Sequence, residues 1–419
     1  MSSAWQAEWR RGAGRLLRSG LRTAASLHPT ALRHRLETRK RLRGARPPQA
    51  RAEALSEAIQ WLYRSLDAGP SSGSRCFRVS GGWSACYPEV TGYNLYTLFD
   101  HHRATGSRES FERALRMADW LVTVQLASGA YQGGYVDQPP EPTVFNTAQV
   151  LQGLVRAYRE TLGGAYLSAA RRAADWLVAV QDSDGAWRRF CYLGEFRVTD
   201  TRVAYPLLEA WKATGEESYR AAAYRSLRLV AKMQHANGWF PQCDNSVELV
   251  SQPNTHTIAY TVEGLLESGL LLGDEDLVSA ARLCADAMLR RFEIDGSLRG
   301  RYDEGWRPTV SWKCLTGCAQ TAKNWIRLYE HNRLPYYLNA ALKMNDYLCA
   351  CQDVGTAASG RRGAIPGSEP ISGGYQPLSF PSWATKYFCD SLMEEARALA
   401  SISGAADERS AGGTGGRAS

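Results

Sequence analysis

The sequence predicts an all-α fold, and three observations predict it. A helix-length segment recurs along the chain at a spacing of about 55 residues. A second, more apolar series of helical segments alternates with the first. Neither end of the array carries the polar cap that an open stack of repeats requires. Six helical hairpins closed into a ring, the sixth packed on the first, satisfy all three. The expected architecture is an (α/α)6 toroid, with inner helices parallel in a barrel and outer helices around them. An open superhelix with a unit of about 34 residues fits the spacing poorly.

The first series opens with "ADWLVTVQLASGAYQGG" at Ala118 and "ADWLVAVQDSDGAWRR" at Ala174. Weaker copies begin at Leu229, Cys284 and Met344. Each is amphipathic and ends in a Gly-containing loop, as a helix stop requires. These are the outer helices, and "EALSEAIQWLYRSL" before Gly81 supplies the outer helix of the first pair. The second series begins at Thr91, Asn146, Asp200, Thr255, Thr316 and Pro381. Its members are apolar or small on most faces, so they are buried on more than one side. Their starts carry Thr, Asn, Asp or Ser, residue types that cap helix N-termini.

With 44% hydrophobic and 22% charged residues in 419, the chain buries a sizeable core. The net charge of +8 is unevenly placed. Residues 1–50 hold eleven Arg and one Lys against two Glu, and the body is close to neutral. That argues against nucleic acid as a partner, since a nucleic-acid-binding body carries its own basic face. Three regions follow: a basic extension over 1–50, the toroid over 51–402 and a Gly-rich, disordered tail over 403–419. The extension mixes arginines with Leu16, Leu17 and Leu21, which suits an anionic membrane surface as well as a solvated tail. No apolar run of about 18 residues marks a membrane span, and no secretory signal is seen. A cytoplasmic protein, peripheral to the inner face of the membrane, is expected. The ten cysteines lack metal-site spacing: Cys314 and Cys318, like Cys349 and Cys351, have no further partner pair. No metal and no cofactor are expected.

In a closed ring the six inner-helix N-termini meet at one mouth, and the long outer-to-inner loops line it. "GGWSACYPEVTGYNLYTLF", from Gly81, places Trp83, Tyr87, Glu89 and Tyr93 at that rim. Other loops add Tyr131, Tyr135, Phe145, Asn146 and Gln149, then Trp187, Tyr192, Arg197, Asp200 and Arg202. Trp239, Phe240, Asn254, His256 and Tyr260 follow, then Tyr302, Asp303, Glu304, Trp306 and Trp312, and last Tyr375, Phe380, Trp383 and Lys386. Aromatic faces beside amides, carboxylates and cations suit a polysaccharide or oligosaccharide. Pyranose C–H faces stack on aromatics, and hydroxyls need fixed donors and acceptors.

Two chemistries fit these residues. Hydrolysis needs a protonated carboxyl and a second carboxylate; Glu89 and Asp200 are the candidates, with Asp303 and Glu304 in a loop as alternatives. Lyase or epimerase chemistry needs a base for the C5 proton of a uronate, and His256 and Tyr260 lie one turn apart on one helix face. Asn146, Gln149, Asn254, Arg202 or Lys386 would then neutralise the substrate carboxylate. Purely structural roles compete: loop aromatics that pin loops, Glu89 as a first-turn carboxylate, Asp200 as a plain N-cap and His256 satisfied by the backbone.

The "ADWL…Q…DGAW" helix ends and aromatic loops resemble the α/α-toroid superfamily of glycan-processing proteins. That group includes the helical domain of glucuronyl C5-epimerases, polysaccharide lyases and unsaturated glucuronyl hydrolases. "GAIPGSEPISGGYQPLSFPSWATKYFCDSL", Gly363 to Leu392, resembles a segment of toroid proteins associated with bacterial exopolysaccharide biosynthesis. The resemblance covers residues 51–400 and implies a carbohydrate-active protein, without assigning catalytic residues. A non-catalytic glycan-binding or scaffolding subunit of a polysaccharide biosynthesis complex is the alternative it leaves open. Toroids of the terpene cyclase and prenyltransferase kinds are set aside, because their acid cluster and zinc set are not seen.

Overall fold

The computed structural model describes residues 26–44, 50–244, 246, 249–354 and 360–412, with side chains up to 403. Thirteen helices are found among the described residues. Helix α1 spans Pro29–Leu42 and α2 spans Arg51–Asp67. The inner helices are α3 (Pro88–Thr105), α5 (Val144–Thr161), α7 (Thr201–Thr214), α9 (Thr255–Leu272), α11 (Leu315–Asn332) and α13 (Ser382–Gly412). Between them run the outer helices α4 (Arg108–Thr123), α6 (Gly164–Ala179), α8 (Glu217–Lys232), α10 (Glu275–Leu289) and α12 (Pro335–Cys351).

Each hairpin turn is set by one residue in the left-handed region. Gly106, Leu162, Gly215, Gly273 and Arg333 end α3, α5, α7, α9 and α11 with φ between 57° and 74°. In each case the next residue is already the N-cap of the following outer helix. Such a C-terminal cap reverses the chain within two residues, so every short connection lies on one face. The long connections, 68–87, 124–143, 180–200, 233–254, 290–314 and 352–381, all lie on the other.

Inner helices pack in chain order, α3 on α5 and so on to α13, and α13 packs back on α3. The ring is closed. Glutamines at the outer-helix ends fasten each repeat to the next. Gln125, Gln181 and Gln234 donate to their own turn glycines and to the Ala169, Ala222 and Ala280 carbonyls of the neighbouring outer helix. Gln352 does the same, and its neighbour is Ala54 on α2, at 2.9 Å. Gly363, at φ +88°, abuts the Glu57 carbonyl of α2, as Gly185 and Gly238 abut the next outer helices in their repeats.

One expected pairing is corrected here. Helix α2 packs against α13, the last inner helix, and serves as the outer partner of the sixth hairpin rather than the first. Short strands add to the closure: β1 (Phe77–Arg78) pairs with β2 (Gly82–Trp83) and with β5 (Ser379–Phe380) from the far end of the chain. A second ribbon joins β3 (Lys313–Cys314) to β4 (Ser368–Glu369).

The basic extension is not a solvated tail over its described part. Helix α1 buries Ala31, His34, Thr38 and Arg41, one face at a spacing of three to four. His34 bonds the Cys351 carbonyl at 3.0 Å and Arg41 the Gln352 carbonyl at 2.9 Å. Residues 1–25, with Leu16, Leu17 and Leu21, lie outside the described residues. At the other end α13 runs on to Gly412, so the Gly-rich tail starts later than residue 403; 413–419 lie outside the described residues. Among the described residues no helix is long and apolar enough to cross a membrane.

Candidate active site at the barrel mouth

Three inner helices, α3, α5 and α11, begin earlier than their cap-type residues indicate. Pro88 occupies the first turn of α3 behind Tyr87, so Thr91 lies inside the helix and bonds the Tyr87 carbonyl at 2.8 Å. Asn146 and Thr316 are likewise inside α5 and α11. At α9 the cap is Asn254, one residue before the expected start at Thr255, accepting from Thr257 N at 3.0 Å while its amide donates to Asp244. Asn254 is therefore held by its own helix and by Asp244.

Glu89, in the first turn of α3, is buried and accepts from the Tyr93 hydroxyl one turn on, at 3.1 Å. Burial pushes its carboxyl up to about 6, against the opposing hydrogen bonds of Tyr87 and Tyr93. Asn146 reaches the Tyr87 hydroxyl at 3.4 Å. The Tyr87 ring lies 5.1 Å from Tyr135 and 6.3 Å from Trp383, whose indole N–H donates to the Tyr375 hydroxyl at 2.8 Å.

His256 and Tyr260 stack on α9 with ring centroids 4.1 Å apart. Tyr375 and Tyr387 approach the imidazole at 5.7 and 6.1 Å, and Phe145 approaches Tyr260 at 5.3 Å. Nδ1 of His256 lies 2.9 Å from Gln320 Oε1, and Gln320 Nε2 donates to Glu263 at 2.5 Å. The carboxylate requires the amide nitrogen, so the amide oxygen faces the ring and Nδ1 carries the proton. That leaves the lone pair on Nε2. Burial pulls the imidazole down to about 4, so it is neutral at pH 7. Burial and the Glu89 charge hold the Tyr260 hydroxyl well above its usual range. The Tyr260 hydroxyl therefore keeps its proton at neutral pH.

Beneath this basin lies a layer of paired charges. Glu263 meets Arg202 at 3.3 Å and Lys323 at 2.8 Å. Burial opposes its charge, and Arg202, Lys323 and Lys386 more than offset that, holding it below the usual carboxylate range. Arg202 also donates to Gln149 and Gln152, at 3.0 and 2.9 Å, and Gln149 returns a bond to the Arg202 carbonyl. Lys386 sits 2.5 Å from Asp390 and 4.0 Å over the Tyr387 ring, and Asp390 accepts from Thr97. Gln149, Arg202 and Lys386 are therefore held by protein partners.

Asp200 ends a short 3₁₀ turn, Val198–Asp200, that packs on α9. Its side chain makes no cap bond, and its Oδ2 is buried without a partner among the described residues. Burial pushes this carboxyl up to about 8, opposed by a hydrogen bond from the Arg197 backbone N–H and by the Arg197 charge. Among the described residues it makes no hydrogen bond to Glu89 or His256.

The loop aromatics divide. Tyr87, Tyr93, Tyr135, Phe145, Tyr375 and Trp383 meet at the basin. Tyr131 instead donates to the Leu121 carbonyl at 3.0 Å and Trp187 to the Leu177 carbonyl at 2.9 Å, each pinning its loop to the preceding outer helix. Trp306 donates to the Asn237 carbonyl and packs edge-on to Trp239 at 5.3 Å. Trp83 packs on Trp61 and Phe77. These five rings support the loops and lie apart from the His256 cluster. Asp303 pairs with Arg307, and Glu304 with His235, near the surface. Tyr302, Phe240 and Phe380 are core, while Tyr192 is exposed. Glu263, Gln320 and Tyr387 are the members that sequence reasoning missed. A glutamate inside the apolar helix "THTIAYTVEGLLESG", two turns from His256, was the available signal.

The closed barrel with its aromatic, acid–base mouth defines the class: an (α/α)6 toroid. No protein-family model matches the chain, and no curated sequence does. Solved structures match, and those named here are α/α-toroid glycan-processing proteins. An unsaturated glucuronyl hydrolase from a Bacillus species, responsible for the degradation of glycosaminoglycan, is 16% identical with a TM-score of 0.66, over 82% of this chain and 96% of that one. A sugar epimerase from a ruminal bacterium is 12% identical with a TM-score of 0.66, over 82% and 97%. The cellobiose 2-epimerase of Spirochaeta thermophila is 14% identical with a TM-score of 0.64, over 90% and 99%. At these identities the likeness is one of fold.

Proposed function

We propose that the protein is a carbohydrate-active enzyme that acts on a uronate-containing glycan by lyase or epimerase chemistry, with His256 as the base. The single observation carrying this reading is the Glu263–Gln320–His256 chain, which holds a neutral imidazole with its lone pair on Nε2. Loss of the C5 proton puts negative charge on the uronate carboxylate, which fixed donors would stabilise. Epimerisation returns a proton to the opposite face of C5, so its donor stands across the sugar from the stacked His256–Tyr260 pair. Elimination instead breaks the C4–O bond, and the leaving sugar takes the proton that His256 removed from C5, which returns the imidazole to its neutral form. That neighbours of the same fold are a glucuronyl hydrolase and sugar epimerases supports a sugar substrate.

A second reading, hydrolysis, is favoured by Asp200. Its environment keeps it protonated while Glu89 ionises near neutrality, the split that acid and base roles require. The test is to incubate the full chain with uronate polymers in D2O. Deuterium at C5 or an unsaturated-uronate absorbance, both lost in His256→Gln, supports the first reading. New reducing ends without either supports hydrolysis. Binding with none of the three makes the protein a glycan-binding or scaffolding subunit and sinks both.

We further propose that the basic segment holds the protein to an anionic membrane, on its cytoplasmic side. The outer face of docked α1 supports this, with Leu32 and Leu36 exposed beside Arg35, Arg39, Lys40 and Arg43. Changing those four cations to Glu should abolish sedimentation with phosphatidylglycerol vesicles and leave the melting curve intact. Unchanged sedimentation refutes the tether.

A further inference from the structure

Most buried cations near the basin already face carboxylates. Arg202 and Lys323 are paired with Glu263, and Lys386 with Asp390. Arg197 differs. The residue is only 6% exposed, yet its one ion-pair partner among the described residues is the exposed Glu195, 3.4 Å from Nη1. Its Nε and Nη2 are buried and have no acceptor among the described residues. These two N–H groups make up one edge of the guanidinium plane, the edge that takes a carboxylate through two parallel hydrogen bonds. Donors buried without acceptors are costly to a folded protein, so a vacant fork of this kind points to a ligand.

Its surroundings agree. Asp200, three residues on, is kept protonated by burial up to about pH 8 and so supplies the guanidinium no counter-charge at neutrality. The backbone between them is fixed: Val198 N donates to the Gln242 carbonyl at 3.3 Å, and the turn packs on α9, the helix that carries His256.

We propose that Arg197 is the carboxylate-binding residue of the mouth, its Nε and Nη2 edge taking the carboxylate of a hexuronate unit in the glycan. This rests on reading the mouth as a glycan site and names its substrate class from this chain's own residues. It also assigns the neutralising role that Arg202, Gln149, Asn254 and Lys386, each held by protein partners, do not fill.

The experiment is equilibrium binding of the full chain to methyl β-D-glucuronide and to methyl β-D-glucoside, which differ only by oxidation at C6. The wild type should prefer the glucuronide by about a hundredfold, and Arg197→Gln should level the two. Arg197→Lys, which keeps the charge and loses the fork, should retain only part of the preference. Circular dichroism melts of both variants confirm folding. A preference that survives in Arg197→Gln, or none in the wild type, overturns the assignment. Binding is read without turnover. A protein that prefers the glucuronide yet exchanges no C5 proton would refute His256 as the base and leave this subsite standing.

Discussion

Gln352 and Ala54, almost the whole toroid apart in the chain, are joined by a 2.9 Å hydrogen bond that closes the ring. The same amide donates to the Gly363 carbonyl at 2.8 Å. Gln181 makes the equivalent pair of bonds to Gly185 and Ala222 inside the ring. Closure therefore reuses the joint between ordinary neighbours. Gln352→Leu leaves two carbonyls short of a donor and should cost about 2 kcal/mol, with Gln181→Leu costing a similar amount. Urea unfolding reads both. A silent Gln352→Leu beside a destabilised Gln181→Leu would mean that the ends of the chain are not joined in solution.

That joint also explains what was legible. The repeat is local and periodic, so the hairpin count follows from it, and ring closure and the mouth follow from the lack of polar caps at either end of the array. The same periodicity misled the reading of the aromatics. Tyr131 and Trp187 each follow a turn glycine by two residues, and they recur because each repeat must pin its loop. Helix starts were misplaced because Pro88 begins α3 before Thr91, the better cap type. The Glu263–Gln320 pair joins two helices 57 positions apart in sequence, and no local pattern encodes which side chains face each other across a barrel.

Gln320 is a positioning residue for His256. Gln320→Leu should free the imidazole to exchange tautomers, lowering kcat by about 10- to 100-fold with little change in KM. Nitrogen NMR gives a readout independent of turnover: the wild type should show Nδ1–H, the variant a mixture. A variant that keeps the single Nδ1–H signature refutes the relay.

Glu89 and His256 pull the stability profile in opposite directions. His256 is held at about 4 in the fold against 6.5 for a free imidazole. Its contribution is complete above about pH 6.5 and is lost as pH falls toward 4. Glu89 is raised from 4.5 to about 6, so its contribution is complete below about pH 4.5 and is lost as pH rises through 6. Glu89→Gln should therefore gain on the wild type above pH 6, by up to about 2 kcal/mol. His256→Gln should flatten the fall on the acid side. Denaturation curves at pH 4, 5, 6 and 7 check both, and parallel profiles for all three proteins would refute the burial of these groups.

Asp200 separates the two chemistries. With its carboxyl raised to about 8 by burial, stability is complete below the ordinary Asp range and is lost as pH rises through 8. Asp200→Asn keeps the shape and removes the ionisation. It should match the wild type in acid and exceed it at pH 9, by on the order of a few kcal/mol. An amide cannot protonate a leaving group, so a hydrolase depending on Asp200 would fall silent in this variant. Proton abstraction by His256 Nε2 does not pass through Asp200, so C5 exchange should persist within about tenfold of wild type. The measurement is C5 deuterium uptake and reducing-end release on the same sample. Exchange lost together with reducing ends, in a variant that still melts cooperatively, would move the chemistry from His256 to the Asp200 carboxyl.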